Sequence, residues 1–383
     1  MGILRYFLAL VVVSSHIPVV FLKPLDGNGG LAVQAFFVIS GFYMSLIVEK
    51  YQLSSFRFAQ VKNFYLSRAL RIFPLYYVCL FITLGLALYN IIPPPPFHLP
   101  SEALQSLNSL SDKAIYLFEN MFLFGQAAMR FFIYDPHAKA FIFDPLNSPS
   151  VPGAIGAGFA ILGQAWTLSL ELSFYLLVPF LLIRPHRTIL ILCLLTFILR
   201  IVLGYLGYDN YNMQHAFFPT SLGIFLLGVL SHRLLYSRIR DKPKSVALQI
   251  GAWTILFCVL FYATIIYHLI DHYSYKYWLF IILVTVALPY LFWVTKQSIL
   301  DRYIGELSYP IYMTHFFCIA LALKWFGLSY IGYTVFFFTN IAAILLVVLV
   351  VKPLDQFRHE QFLQDTPKPM PQSSYPVESQ ANA

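Results

Sequence analysis

Long apolar stretches recur along the whole chain and set its architecture. A helix needs about 20 apolar residues to cross the hydrocarbon core of a bilayer. Ten stretches approach or exceed that length: 3–22, 31–49, 72–92, 165–183, 188–206, 216–235, 246–268, 277–295, 307–325 and 330–351. This pattern predicts an all-α, polytopic membrane helix bundle with about ten transmembrane helices.

The placement of lysine and arginine predicts the orientation of this bundle. With the N-terminus inside, 18 of the 25 Lys and Arg residues fall on the cytoplasmic side, 6 fall on the outer side and Arg200 lies within a span. Because short cytoplasmic loops accumulate these residues, both termini are expected in the cytoplasm. The net charge of +8 then reflects topology, and no nucleic-acid partner is expected.

Two segments interrupt the apolar pattern. Residues 93–164, which begin with "PPPPFHLP", form an outer loop; its apolar stretch 114–132 is expected to lie along the membrane surface or dip into it. Residues 1–355, including this loop, are expected to form the membrane domain. The Pro-, Ser- and Gln-rich residues 356–383 predict a disordered cytoplasmic tail.

The composition excludes several other classes of protein. The chain is 59% hydrophobic and 11% charged, with a mean hydropathy of +0.71, so a soluble globular domain is excluded. The four cysteines lie in separate helices without CxxC spacing, so we expect packing residues rather than a disulfide framework or a thiolate metal site. The "HLIDH" segment at 268–272 has two histidines at i, i+4 spacing but lacks further ligands, and no metal is expected there.

Basic residues and a histidine stand at the ends of predicted helices. Residues 5–16 read "RYFLALVVVSSH", which puts Arg5 and His16 on one helical face, about 16 Å apart along the axis. Arg68 and Arg71 share a face of another helix at the same cytoplasmic surface. Guanidinium groups suit phosphate, whereas positive-inside anchoring is the alternative. A histidine deep in the membrane suits general-base catalysis, and interhelical hydrogen bonding is its alternative.

Depth estimates place four polar residues in one layer, about 10 to 14 Å below the outer face. They come from four different helices: His16, Ser40, Glu171 and Arg200. A charge at such a depth costs on the order of 3 kcal/mol, so it needs a partner or a function. A functional cavity explains the whole set, while a Glu171–Arg200 ion pair between two helices is the structural alternative.

A ligand with phosphates at one end, a thin arm of about 15–20 Å and a reactive group at the other end would match this geometry. Acyl-coenzyme A has that form. The R-x10-H pair, "FFVISGF" at 36–42, R-x-x-R at 68–71, "WTLSLELSFYLLVP" at 166–179 and "LSYPIYMTHF" at 307–316 resemble the acyltransferase 3 family of membrane proteins. The resemblance covers nearly all of the chain except the outer loop and the tail.

The resemblance implies transfer of an acyl group, usually acetyl, from cytoplasmic acyl-coenzyme A to a sugar or other hydroxyl acceptor at the outer face. The family's essential histidine and arginine map to His16 and Arg5, and its R-x-x-R arginines to Arg68 and Arg71. Surface carbohydrate, such as exopolysaccharide or the O-antigen of lipopolysaccharide, is the expected acceptor, with peptidoglycan, lipid-linked sugars and small molecules as alternatives. A bacterial inner membrane is the expected location. The appended hydrolase-like domain of some members is not expected here.

The expected roles follow from chemistry and resemblance together. His16 and Glu171 are the candidate catalytic residues, with Glu171 orienting or stabilising the imidazole, and Arg5, Arg68 and Arg71 are the candidate acyl-coenzyme A-binding residues. Supporting residues are Ser40, Trp166, Arg200, Tyr309 and His315. Acetyl-coenzyme A or another acyl-coenzyme A is the donor substrate. The other expected partners are membrane lipid and a carbohydrate or lipid-linked glycan; no permanently bound cofactor and no metal are expected.

Several supporting residues also have structural interpretations. Ser40, followed by Gly41, is typical of a small-residue helix contact. Trp166 starts a span and suits an interfacial anchor as well as a wall for a sugar. Tyr309 and His315 suit hydrogen bonds within the bundle.

Two other functional classes fit a polytopic protein with an intramembrane His, Glu and Arg. A proton-coupled carrier of sugars or glycolipids would use the same polar layer as its binding site, although the sequence shows no inverted repeat. A membrane sensor or scaffold would need no catalysis, and substitution of Arg5 or His16 would leave its function unchanged.

Overall fold

The computed structural model of the chain describes residues 1–17, 29–50, 58–92, 109–135, 140–146, 154–155, 159–243, 245–262, 273–328 and 330–362. Its helices are α1 (Gly2–His16), α2 (Gly29–Lys50), α3 (Phe58–Leu88), α4 (Leu110–Phe122), α5 (Gln126–Met129), α6 (Trp166–Leu181), α7 (His186–Tyr205), α8 (Tyr211–His215), α9 (Phe218–Leu230), α10 (Val246–Phe261), α11 (Tyr273–Thr295), α12 (Ile299–Glu306), α13 (Ser308–Phe326), α14 (Ile331–Leu346) and α15 (Lys352–Phe362). Two π-helical segments, Ser231–Tyr236 and Val347–Val351, extend α9 and α14.

The predicted polytopic helix bundle is confirmed. Within the described residues, seven helical segments are long and apolar enough to cross a membrane, and the shorter helices α1 and α10 are also apolar. Each of the ten predicted stretches overlaps a helix. The count of ten spans and the cytoplasmic position of both termini stay predictions.

Two helices extend beyond the ranges predicted from hydropathy. Helix α3 begins at Phe58 rather than near residue 72, because its first four turns carry polar residues that an apolar stretch omits. Arg68 and Arg71 therefore stand well inside a continuous helix. Helix α15 continues to Phe362, seven residues into the predicted tail, while 363–383 and the "HLIDH" segment lie outside the described residues.

The outer loop contains structure that the sequence analysis did not predict. Strands β1 (Phe132–Asp135), β2 (Ala140–Phe143) and β3 (Ala154–Ile155) form an antiparallel sheet in the order β2-β1-β3. The predicted surface stretch forms α4, α5 and the start of β1. It is anchored to α3, since the hydroxyls of Tyr76 and Tyr77 each donate a 2.6 Å hydrogen bond to a carbonyl at the end of α4.

Helix α2 lies at the centre of the bundle and packs closely on α9. A Cβ atom on Gly41 would lie 1.8 Å from the carbonyl oxygen of Phe225, and one on Gly228 would lie 1.9 Å from that of Val38. Both glycines are therefore required for the two backbones to approach. The small-residue helix contact expected at Ser40 is made by its neighbour Gly41.

Asp301 fixes the start of α1. Its carboxylate accepts hydrogen bonds from the amino group of Met1 at 2.7 Å and from the backbone N–H groups of Gly2 and Ile3 at 2.8 and 3.0 Å. These are donors that the first turn of a helix leaves unpaired. A carboxylate here also complements the positive end of the helix dipole. The cap fixes the position of Arg5, one turn further along.

Candidate active site

Helix α1 carries the two residues that the sequence singled out first. Arg5 and His16 lie near its two ends, 11 residues and about 16 Å apart. We call the region around Arg5 the arginine end and the region around His16 the histidine end. Both side chains keep accessible surface, with His16 exposed and Arg5 half-buried, although most residues between them are buried.

Three arginines and one carboxylate meet at the arginine end. Arg5 and Arg71 repel each other electrostatically, and both are attracted to Glu171. Arg68 is 6% exposed and interacts with Tyr175, which belongs to the same cluster. The structure thus gathers all three predicted acyl-coenzyme A-binding residues. Glu171 can balance only one of the three guanidinium groups, and Asp355, which also attracts Arg71, is paired with Arg358 at 2.8 Å. The guanidinium groups of the cluster suit phosphate.

Glu171 lies at this end rather than beside His16. Its Oε1 atom accepts a 2.7 Å hydrogen bond from Ser40 and a further one from the hydroxyl of Tyr175. The expectation that Glu171 orients the imidazole therefore does not match the described contacts. Residue counting placed Glu171 at the depth of His16, whereas its contacts place it at the arginine end.

His16 contacts aromatic rings at the histidine end. Its ring stacks on that of His315 at a centroid distance of 5.2 Å and an interplanar angle of 28°. Phe316 contacts it at 4.7 Å. The ring of His315 is fully buried, and its Nδ1 bonds to the carbonyl oxygen of Tyr312 at 2.7 Å. Since a carbonyl only accepts, Nδ1 of His315 carries the proton, which fixes that ring against His16.

One face of α13 connects the two ends. Tyr309, Tyr312 and His315 follow each other at three-residue spacing, which keeps them on neighbouring positions of the helix surface. The Tyr309 hydroxyl donates to the carbonyl oxygen of Ile72 at 2.9 Å, directly after Arg71 in the chain. Tyr312 donates to the carbonyl oxygen of Gln164 at 2.7 Å. These contacts place Tyr309 at the arginine end and His315 at the histidine end.

Trp166 is buried at the start of α6 and faces a cation from the outer loop. The guanidinium of Arg130 lies 4.9 Å from its ring centroid and donates to the Asn212 side chain at 2.9 Å. Burial lowers the pKa of Arg130. The sequence analysis did not single out Arg130 as part of this region. The sequence feature that could have identified Arg130 is a single cation within an apolar stretch of the outer loop.

Arg200 is not part of the Glu171 cluster. Its guanidinium hydrogen-bonds to the Gln214 side chain and lies over the rings of Tyr277 and Trp278, at 5.3 and 5.1 Å from their centroids. The alternative of a Glu171–Arg200 ion pair is therefore wrong among the described residues. Depth estimates give a residue's level, whereas the arrangement of helices decides which residues at that level meet.

Comparison with protein families agrees with the motifs. The profile of the acyltransferase 3 family, described as an acyltransferase domain, matches residues 1–352. A search of curated proteins and a search of solved structures each returned no significant match. The family match includes α1, the arginine end and the histidine end. The chain is therefore a multi-pass integral membrane protein that belongs to the acyltransferase 3 family.

Proposed function

We propose that this protein transfers an acyl group, with acetyl expected, from cytoplasmic acyl-coenzyme A to a hydroxyl group of a carbohydrate on the other side of a bacterial inner membrane. Exopolysaccharide and the O-antigen of lipopolysaccharide are the expected acceptors. Membership of an acyltransferase family supports the reaction class. The donor is inferred from the chemistry of the site, and the acceptor is what the resemblance to the family implies.

One observation carries the proposal: a positively charged cluster and an exposed imidazole stand near opposite ends of the same helix. Arg5, Arg68 and Arg71 would bind the nucleotide phosphates of the donor. The axial distance of about 16 Å to His16 suits an extended pantetheine arm with its thioester at the far end. Charge at one end and a proton acceptor at the other match the two ends of acyl-coenzyme A.

His16 would act as the general base. Its imidazole removes the proton from the acceptor hydroxyl while the hydroxyl oxygen attacks the thioester carbonyl carbon. The carbon–oxygen bond of the ester forms, the carbon–sulfur bond breaks, and the leaving thiolate takes the proton from the imidazolium. A covalent acyl-histidine intermediate, in which the imidazole attacks first, is the competing order of events.

The contacts favour different roles for His315 and Glu171. His315 would position the His16 ring by stacking, since its Nδ1 bonds to the Tyr312 backbone. Glu171 would reduce the repulsion among the arginines, and Ser40 and Tyr175 would hold its carboxylate in place. This replaces the expected role of Glu171 at the imidazole.

Substitution of His16 tests the proposal. Wild type and His16→Ala, purified in lipid nanodiscs, would receive acetyl-coenzyme A and a soluble oligosaccharide, with free thiol and O-acetyl ester both measured. We expect His16→Ala to lose ester formation by at least a hundredfold, the usual lower range for a lost general base. His186→Ala is the matched control, because His186 is exposed at the start of α7. Full ester formation by His16→Ala would refute the assignment, and transport of the oligosaccharide without thiol release would indicate a carrier.

A further inference from the structure

A cavity of about 860 Å³ lies apart from the Arg5–His16 axis, among α7, α8, α9 and α11. Its polar and aromatic walls come from Arg200, Asp209, Tyr211, Gln214, His215, Tyr277 and Trp278. Its size is ordinary for a site that takes a small molecule or a cofactor-sized group. The proposed acyl transfer assigns no role to these residues.

Arg200 gives the cavity a buried positive charge, and the exposed side chain of Asp209 also lines the cavity without forming an ion pair with it in the described part of the chain. Arg200 is 7% exposed, and no acidic side chain in the described part of the chain forms an ion pair with it. Its Nη1 atom has no hydrogen-bond partner among those residues. A buried guanidinium without a counterion is costly in a membrane protein, and such residues usually face a ligand path. An anionic ligand that accepts a hydrogen bond from Nη1 would supply the missing partner.

His215 provides a hydrogen-bond acceptor in the same cavity. Its ring stacks on that of Tyr211 at 4.4 Å, and its Nδ1 bonds to the carbonyl oxygen of Tyr211 at 3.1 Å. Because a carbonyl accepts, Nδ1 carries the proton and Nε2 is left as an acceptor. Nε2 is buried and has no partner among the described residues. A hydroxyl group would satisfy it.

The aromatic and apolar walls indicate the remaining parts of the ligand. The rings of Tyr211, Tyr277 and Trp278 provide flat surfaces of the kind that pack against a sugar ring. Ile201 and Ile282 line the cavity and are 59% and 55% exposed, on faces that α7 and α11 present outside the bundle. In a membrane that exterior is hydrocarbon, so the cavity reaches from a polar interior to the lipid.

The cavity also approaches the histidine end. A Cβ atom on Gly30 would lie 3.1 Å from the Tyr211 hydroxyl, and one on Gly29 would lie 2.2 Å from the hydroxyl of Ser15. Ser15 directly precedes His16. A sugar chain that leaves the cavity past Tyr211 would therefore be directed toward the candidate catalytic imidazole.

We propose that this cavity binds the acceptor as a lipid-linked glycosyl phosphate. The phosphate contacts Arg200, a hydroxyl of the first sugar donates to Nε2 of His215, and the hydrocarbon chain leaves past Ile201 and Ile282. This inference rests on the proposed transferase function, because it names the acceptor of that reaction. It also gives the supporting residue Arg200 a role in acceptor binding.

Binding without any acyl donor tests this inference separately from catalysis. The protein in nanodiscs would be titrated with glucosyl farnesyl phosphate, farnesyl phosphate, dodecyl glucoside and phosphatidylglycerol, with bound ligand measured by native mass spectrometry. We expect Arg200→Gln to lower the affinity for both farnesyl phosphates by about tenfold to a hundredfold, since a hydrogen bond to a charged group is lost. The affinity for dodecyl glucoside should stay unchanged. His215→Phe should weaken binding of the two glucosylated ligands, glucosyl farnesyl phosphate and dodecyl glucoside, and leave binding of farnesyl phosphate unchanged. Arg187→Gln, exposed at the other end of α7, is the matched control.

Two outcomes would overturn the inference. One is wild-type protein that binds phosphatidylglycerol as tightly as glucosyl farnesyl phosphate, which would make the cavity a phospholipid site whatever the variants do. The other is unchanged affinity for both phosphates in Arg200→Gln. Neither outcome affects the His16 test, which uses a soluble acceptor, and loss of ester formation in His16→Ala does not affect this titration.

Discussion

Replacement of Arg71 by alanine should weaken binding of the donor only through the loss of contacts to its nucleotide phosphates. Arg71 shares the arginine end with Arg5 and Glu171, so its removal lowers the positive charge available to phosphate. A hydrogen bond to a charged group contributes about 1.5–3 kcal/mol. This corresponds to a rise of about 10- to 150-fold in KM for acetyl-coenzyme A. The value of kcat should change little, because the arm still reaches His16 once the donor is bound.

Acetyl-pantetheine provides the internal control for this prediction. It carries the thioester and the arm but no nucleotide phosphates, so the Arg71→Ala substitution should leave its KM unchanged. Thiol release with each donor, by wild type and variant in nanodiscs, completes a double-mutant cycle in which one change is made in the protein and the other in the ligand. Arg187→Ala, exposed on the predicted cytoplasmic side, should behave as wild type with both donors.

The cycle also shows how this reasoning would fail. An equal loss with acetyl-coenzyme A and acetyl-pantetheine would mean that Arg71 supports the fold or the histidine end, and the phosphate assignment would be refuted. Salt gives a second measure, because ions screen charge interactions at an accessible site. The KM for acetyl-coenzyme A should rise with ionic strength, while that for acetyl-pantetheine should stay constant.

Two further predictions concern stability. Glu119 is 2% exposed in the outer loop, and burial raises its pKa to about 8. In the unfolded chain this carboxyl group ionises near pH 4.5, so the free energy of unfolding should fall as pH rises from about 4.5 to 8. Thermal unfolding curves of Glu119→Gln should not show that fall. Gly228→Ala should sharply lower the unfolding temperature, because its Cβ would lie 1.9 Å from the Val38 carbonyl oxygen. Gly251→Ala, in open space on a helix, should slightly raise it.

Much of the fold could be predicted from the sequence because a membrane imposes a simple length requirement. A helix that spans the lipid satisfies its own backbone hydrogen bonds, so long apolar stretches indicate helices directly. The relation of Arg5 to His16 was equally accessible, since helix geometry fixes the distance between two residues of one helix. The proximity of Arg68 and Arg71 to Arg5 could also be predicted, because positive-inside placement is expected to bring basic residues to the same level.

Partners that come from different helices could not be predicted in the same way. Glu171 and His16 have similar estimated depths, yet the carboxylate bonds to Ser40 and Tyr175 and the imidazole stacks on His315. Which residues meet depends on helix rotation and order, and these are decided by packing contacts such as that of Gly228 on α2. The sheet of the outer loop was missed because its strands are short and lie beside an apolar helix.

The separation of carboxylate and imidazole suits acyl transfer. In the described part of the chain, rings surround His16 and no carboxylate stabilises its charged form. A proton taken from the acceptor hydroxyl is then readily returned to the leaving thiolate, and the reaction needs no net proton from either side of the membrane. A proton-coupled carrier needs a site that holds the proton while the protein changes conformation. Glu171 is a candidate for such a site, but its carboxylate bonds to Ser40 and Tyr175 and lies among arginines at the other end of the helix from His16. The arrangement of charges thus supports the transferase over the carrier.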